Sequence, residues 1–289
     1  MKTETTSGGM GKLILRLILS ILLVFSLLGT VGCAVGISVL HSPSQLIAQM
    51  HKQNAGQKVY DSLQTRFTTD YNTTAVPANV YMDAISVDWL EQCMEQKLTA
   101  LYGADSDLLD FSALESSITD YFEKYAEENH YVKDDTYNEK LQETIDNAEA
   151  ELTSQLDVYH FSTMRNANIL SRLTGKQLYL WIACGVCGVV SLLLMGILMG
   201  LERNGEWGML YFPGCALFIN GVFLILPTAW VLATSYFSGL AIKVPAVYAA
   251  VTGVLYHCTR VGLVAGIVLA VLGLAAIVGS TIGRRKAAR

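Results

Sequence analysis

The chain has 289 residues, of which 52% are hydrophobic and 16% are charged, whereas soluble globular domains usually have about 25% charged residues. Residues 41–176 contain 22 of the 25 acidic and 10 of the 20 basic residues, a net charge of −12, and the rest of the chain has a net charge of +7. An acidic polar segment lacks the clustered cations that neutralise phosphates, which argues against nucleic acid as a partner.

The first candidate transmembrane helix is the apolar run Leu17–Leu40, which follows a polar N-terminal tail of residues 1–16. A helix crosses a hydrocarbon core in about 20 residues. The segment Thr30–Cys33 also resembles a lipoprotein signal, in which Cys33 would be acylated. Because the chain stays apolar to Leu40, we expect a retained helix, with a lipoprotein signal and a cleaved signal peptide as alternatives.

Residues 41–176 are predicted to form an acidic, helical, extracytoplasmic domain. Four segments have helical patterns of apolar residues: Leu46–Phe67, Val87–Tyr102, Ala113–Glu128 and Tyr137–Asp157. Residues 68–77 are predicted to form a turn between the first two. About 135 residues can fold on an apolar core, and the single cysteine of this segment, Cys93, rules out an internal disulfide.

Two sites in this segment match the capping-box pattern, in which a hydroxyl caps a helix and a carboxylate stands three residues later. Ser112 with Glu115 precedes one predicted helix, and Thr136 with Glu139 precedes the next. The sequence therefore predicts that these two helices begin with hydroxyl caps.

Three further apolar runs are long enough to cross a membrane: residues 178–201, 209–233 and 261–282. The 13 residues 244–256 are too few to cross, and we predict an interfacial or re-entrant helix there. The N-terminal tail and the C-terminal tail, residues 283–289, are both basic. The positive-inside rule therefore places both termini in the cytoplasm of a multi-pass plasma-membrane protein.

Small residues recur at four-residue spacing within the predicted spans. The pairs are Gly32 and Gly36, Gly196 and Gly200, Gly262 and Gly266, and Gly279 and Gly283. Such spacing lets helix backbones approach closely. It predicts a compact bundle or self-association.

Cys184 and Cys187 form a C-x-x-C pair, the arrangement of many thiol–disulfide oxidoreductases. A reactive thiol needs a helix N-terminus or a nearby cation. Cys184 lies beyond the first turn of its predicted helix and has apolar neighbours. Redox chemistry at this pair is therefore an alternative to a purely structural role.

The remaining reactive side chains show no recognised metal or catalytic pattern. The polar domain contains His41, His51, His130 and His160, without the spacing of a known metal motif. Asp157 and His160 are three residues apart, a spacing that allows them to share a helix face. We predict no catalytic residue, metal ligand or cofactor.

The predicted spans contain no aspartate or glutamate, the groups on which ion-coupled transporters usually depend. Asn220, near the middle of the third span, is predicted to form a hydrogen bond between helices.

These observations predict an all-α integral membrane protein with about four transmembrane helices. We interpret it as a non-enzymatic binding, sensing or accessory subunit, acting through its extracytoplasmic domain on a membrane protein partner or on itself. The alternatives are a membrane thiol–disulfide oxidoreductase using Cys184 and Cys187, and a component of a channel or permease.

Overall fold

The structure is a computed structural model that describes residues 7–40, 43–101, 109–160, 177–201 and 209–287. Every regular element in these ranges is a helix, which confirms the all-α prediction. In chain order the α-helices are α1 (Ser7–Leu40), α2 (Ser44–Lys52), α3 (Ala55–Thr74), α4 (Ala78–Met82), α5 (Val87–Leu101), α6 (Ser112–Glu128), α7 (Asp135–Leu156), α8 (Gln177–Gly200), α9 (Tyr211–Ala233) and α10 (Pro245–Ala287). A short 3-10 helix, Tyr236–Gly239, follows α9.

Four of these helices, α1, α8, α9 and α10, are long and apolar enough to cross a membrane. Many of their large apolar side chains are exposed; Leu192 of α8, for example, is 71% exposed. Soluble proteins rarely expose apolar surface on this scale. Lipid is the solvent that such a surface requires, and the four predicted spans are confirmed as candidate membrane helices.

The fourth span differs from its prediction. The prediction of a separate interfacial or re-entrant helix over residues 244–256 is wrong. Residues 245–256 continue without interruption into residues 261–282, and together they form the 43-residue helix α10. The polar stretch His257–Arg260 that separates the two apolar runs contains neither proline nor glycine, so nothing in it breaks a helix. At 1.5 Å per residue α10 is about 65 Å long, roughly twice the hydrocarbon thickness.

The chain divides into two compact units. The membrane unit consists of residues 1–41, 175–239 and 255–289, and the acidic helical unit consists of residues 42–174 and 240–254. Helix α10 therefore contributes its first ten residues to the acidic helical unit and the remainder to the membrane unit.

In the membrane unit, α1 packs against α8 and α9. Leu23, Leu198 and Ala216, one from each helix, are buried together at their centre. The Nδ2 group of Asn220 on α9 donates a hydrogen bond of 2.9 Å to the carbonyl of Val24 on α1. The predicted interhelical bond of Asn220 is thus present.

Helices α9 and α10 make a close contact through two glycines on each helix, and the two glycines of each pair are seven residues apart. A Cβ atom on Gly221 would lie 2.4 Å from the backbone nitrogen of Ala270, and one on Gly273 would lie 2.3 Å from that of Phe218. Gly214 and Gly266 make similar contacts at the same interface. Backbone packs on backbone here, as the small-residue pattern predicts.

The four-residue spacing identified these contacts only in part. Gly262 and Gly266 do pack against α9. The other glycines of the predicted pairs for which surroundings are described, Gly32, Gly36, Gly196, Gly200 and Gly279, have no neighbouring heavy atom within 4 Å of a built Cβ. Spacing within one helix brings glycines to one face, but the partner helix decides which face is used.

The acidic helical unit has a conventional apolar core. The fully buried large side chains are Met50, Val59, Leu63, Leu90, Met94, Leu114, Ile118, Leu152, Leu156 and Val158. The predicted apolar faces of α6 and α7 supply several of them. At the start of α10, Ala246, Ala249 and Ala250 are also buried, and a Cβ on Gly253 would lie 2.9 Å from the Gln53 side chain.

Two helix boundaries in this unit differ from their predictions. The predicted helix Leu46–Phe67 is two helices, separated at Asn54, which has a left-handed backbone (φ 50°). The predicted turn over residues 68–77 is largely helical, because α3 continues to Thr74. Asparagine adopts left-handed geometry more readily than most residues, which explains why the break falls at that position.

Neither predicted capping box forms. Helix α7 begins one residue earlier than Thr136, and its cap is Asp134, whose Oδ1 accepts a hydrogen bond of 2.9 Å from the Tyr137 N–H. Before α6 the cap position is Phe111, which provides no side-chain hydrogen bond. The Ser112 N–H instead donates to Asp110. Hydrogen bonding by the Ser112 side chain, followed by that of its backbone N–H, lowers the pKa of the Asp110 carboxyl. An aspartate upstream was the better acceptor in both cases.

Candidate functional site

A groove on the acidic helical unit is the candidate site for binding. It lies among α3, α4, α6 and α7 and has a volume of about 880 Å³, within the range of about 300–1,000 Å³ typical of ligand sites. Its lining residues, which define the groove below, are Arg66, Phe67, Asp70, Tyr81, Phe122, Lys140, Glu143, Thr144, Asn147, Ala148, Ala150 and Glu151.

The base of the groove is aromatic. Phe67 on α3 and Tyr81 on α4 are both buried, and their rings stack with centroids 4.3 Å apart and an angle of 13° between planes. Phe122 on α6 lies edge-on to Tyr137 on α7, with centroids 6.1 Å apart. These rings come from four helices, so the helix packing holds the base in place.

The rim of the groove contains paired charges. The Arg66 Nε atom lies 3.3 Å from a carboxylate oxygen of Asp70 and 3.8 Å from one of Glu151. The Lys140 ammonium donates a hydrogen bond of 2.6 Å to Glu143, which raises the pKa of Lys140. Three carboxylates thus face two cations, and the rim has a net negative charge.

The aromatic surface continues beyond the groove along α6. The Tyr121 ring neighbours those of Phe122 and Tyr125, and the Tyr125 ring lies 6.5 Å from that of Tyr131. Tyr125 and Tyr131 are at least half exposed. Exposed tyrosines present both apolar area and a hydroxyl group, which suits them to binding surfaces.

A second polar cluster in the same unit joins α2 to α5. The Nδ1 atom of His51 lies 2.9 Å from Oε2 of Glu91, and the Nε2 atom is hydrogen-bonded to Oε1 of Glu95. The sequence pattern did not identify this cluster, because Glu91 and Glu95 lie 40 and 44 residues after His51. This geometry does not fit a metal ion, because each carboxylate contacts a different nitrogen of the ring and neither nitrogen is left to bind a metal.

Cys184 and Cys187 both face α1 in the membrane unit. The Cys184 thiol lies 3.9 Å from the carbonyl oxygen of Thr30, and a Cβ on Gly29 would lie 3.1 Å from the Cys187 sulfur. The Cys187 carbonyl accepts a hydrogen bond from the Ser26 hydroxyl. Both cysteines are free thiols and form part of a close helix contact. The oxidoreductase alternative stays a prediction.

The helix face that the spacing of Asp157 and His160 allows does not form. Asp157 and His160 do not share a helix face, because α7 ends at Leu156 and the two residues form a turn in which the His160 N–H donates to the Asp157 carbonyl. Within the described ranges, no group of three or more His, Cys, Asp or Glu side chains is arranged to hold a metal ion.

The side chains that line the groove were not identified as a site from the sequence. Phe67 and Tyr81 read as ordinary core residues, and Arg66, Lys140 and Glu143 as ordinary surface charges. These side chains form a site only because the folded helices bring them together, and no sequence motif indicates this arrangement.

The chain matches no model of a known protein family, no curated protein and no solved structure.

Proposed function

We propose that this protein is a non-enzymatic binding or accessory subunit of the plasma membrane, whose acidic helical unit lies outside the cytoplasm and binds a partner in the groove. The observation that carries the proposal is the groove itself: an aromatic base formed by Phe67 and Tyr81, beneath a rim of charged and amide side chains, on four packed helices. Rigid elements position binding groups more accurately than loops do.

The charge of the unit supports a partner with a basic side chain. Residues 41–176 have a net charge of −12, and within them the rim has three carboxylates against two cations. A segment of a membrane protein that presents a lysine or arginine beside an apolar side chain would match both the rim and the aromatic base. A second copy of the same acidic unit is a poor occupant, because like charges would repel.

The proposed orientation is supported by the basic tails, residues 1–16 and 283–289, and by the four candidate spans among the described residues. Protease added outside sealed cells should leave tags at both termini intact and should cleave the acidic helical unit. Loss of either tag under those conditions would overturn the orientation.

The binding proposal is tested by purification of the full chain from native membranes in a mild detergent, with identification of bound proteins. Asn147→Arg places a bulky cation in the groove, and Gln142→Arg adds the same charge elsewhere on the exposed surface of α7. We expect a stoichiometric partner with the wild type and with Gln142→Arg, and its loss with Asn147→Arg.

A partner that binds Asn147→Arg as well as the wild type would show that the groove is not the binding site. A homo-oligomer without other proteins in every variant would favour the channel or enzyme alternatives over an accessory role.

A further inference from the structure

His51 is held by two carboxylates at once. It lies in the last turn of α2, and its partners Glu91 and Glu95 stand one turn apart on the same face of α5. A neutral imidazole has a single N–H and can donate to only one carboxylate, whereas the protonated ring donates from both nitrogens. Both contacts therefore require the imidazolium form.

Besides Glu91 and Glu95, two ionisable side chains from other elements have described hydrogen bonds to the backbone of α2 or the residue after it. Helix α3 contributes Lys58, whose ammonium donates to the Gln53 carbonyl at the end of α2. The segment after α7 contributes Tyr159, whose hydroxyl donates to the Leu46 carbonyl of α2. The first ten residues of α10 contain Tyr248 as their one titratable side chain. The charges that act on the His51 ring are those of Glu91 and Glu95.

Gly56 at the start of α3 makes the arrangement possible. A Cβ atom at this position would lie 2.4 Å from Cγ of Glu91 and 2.8 Å from its Oε1. Any larger residue would push the Glu91 side chain away from its present position. Three helices thus cooperate to place one carboxylate at the His51 ring.

We propose that His51 is a pH-dependent latch that holds α2 against α5 while the ring is protonated and releases it when the proton is lost. The latch is separate from the groove, which contains no residue of α2 or α5. Release would loosen α2, the first helix of the acidic helical unit.

The direction of the effect follows from the proton linkage. The hydrogen bond to Glu95, followed by that to Glu91, raises the pKa of His51 in the folded protein despite partial burial. A group whose pKa is raised on folding contributes its full stabilisation below its unfolded pKa, about 6.5 for histidine. That contribution is lost as pH rises through the folded pKa. The latch is closed in acid and opens towards alkaline pH.

Amide hydrogen exchange of the full chain in lipid nanodiscs between pH 6 and 8.5 tests the latch. After correction for intrinsic exchange rates, protection of Ser44–Lys52 should fall as pH rises, by up to about tenfold for each unit by which folding raises the His51 pKa. In His51→Gln, protection of this segment should be low throughout and independent of pH. Equal pH responses in the wild type and His51→Gln would overturn the proposal.

Matched variants separate the latch from general effects of pH. His130→Asn removes an exposed histidine whose left-handed backbone (φ 54°) asparagine tolerates, and it should respond like the wild type. Glu91→Gln with Glu95→Gln keeps side-chain size but removes both charges. Histidine NMR titration should then give a lower pKa for His51 than in the wild type; an unchanged pKa would also overturn the proposal.

Discussion

In the membrane unit, large apolar side chains lie on the outside and glycines make the closest contacts, whereas in the acidic helical unit large apolar side chains fill the interior. Leu192 and Leu193 of α8 are mostly exposed, while Leu63 and Leu90 of the acidic helical unit are fully buried. Gly221 and Gly273 bring the backbones of α9 and α10 together. The same residue types therefore have opposite positions in two parts of one chain.

The difference arises from the solvent of each unit. In water, burial of apolar area drives folding. In lipid, a leucine that faces outward has no free-energy cost of exposure, because lipid tails are as apolar as its side chain. Close packing and interhelical hydrogen bonds hold the helices together instead. Four substitutions, three of them with matched controls, measure this contrast.

The largest expected effect comes from truncating the core of the acidic helical unit. Leu90→Ala should lower its free energy of unfolding by about 2–5 kcal/mol, because it removes buried methyl groups and leaves a cavity. Leu193→Ala, on the outer side of α8, should change stability by less than about 0.5 kcal/mol. Urea titration in nanodiscs, followed by circular dichroism, provides the comparison; equal losses would mean that Leu193 is also a packed core residue.

The next effect concerns the glycine contact of the membrane unit. The Cβ of Gly221→Ala would lie within 2.6 Å of two backbone atoms of α10, the nitrogen of Ala270 and the oxygen of Gly266. Since backbone cannot rotate away, we expect a cost of about 1–3 kcal/mol. Gly196→Ala meets no atom within 4 Å and serves as the control. Unfolding by SDS in bicelles measures both, and a Gly196→Ala loss as large as that of Gly221→Ala would place a partner on α8.

A smaller effect is expected at the cap of α7. Asp134→Ala removes the acceptor of the Tyr137 N–H and should cost about 1 kcal/mol in urea titrations. Ser112→Ala, at the hydroxyl that the sequence pattern favoured, should be close to neutral because no side-chain cap bond forms before α6. A larger loss of stability for Ser112→Ala than for Asp134→Ala would instead support the predicted capping boxes.

The smallest effect is expected at the buried amide of the membrane unit. Asn220→Leu loses the bond to Val24 but also removes an amide oxygen without a hydrogen-bond partner among the described residues. Interhelical polar bonds in membranes are worth about 0.6 kcal/mol on average, so we expect a change of that order in SDS unfolding. Loss of a transport activity with unchanged stability would instead support the channel or permease alternative.

The candidate site was much less predictable than the helices. Residue Asn220 was identified in advance because an amide inside an apolar run is visible locally. The His51 latch was not, because His51 meets Glu91 and Glu95 only after α2 and α5 pack. The same is true of the groove, whose aromatic base joins Phe67 to Tyr81 across two helices.

The sequence by itself determined the helical class, the four candidate spans and the separation of an acidic unit from an apolar one. These follow from the length, periodicity and charge of continuous segments, which depend on neighbours along the chain. The tertiary structure decided that α10 is continuous, which glycines pack, and where carboxylates and aromatic rings converge. Those outcomes depend on contacts between residues distant in sequence, which local patterns do not specify.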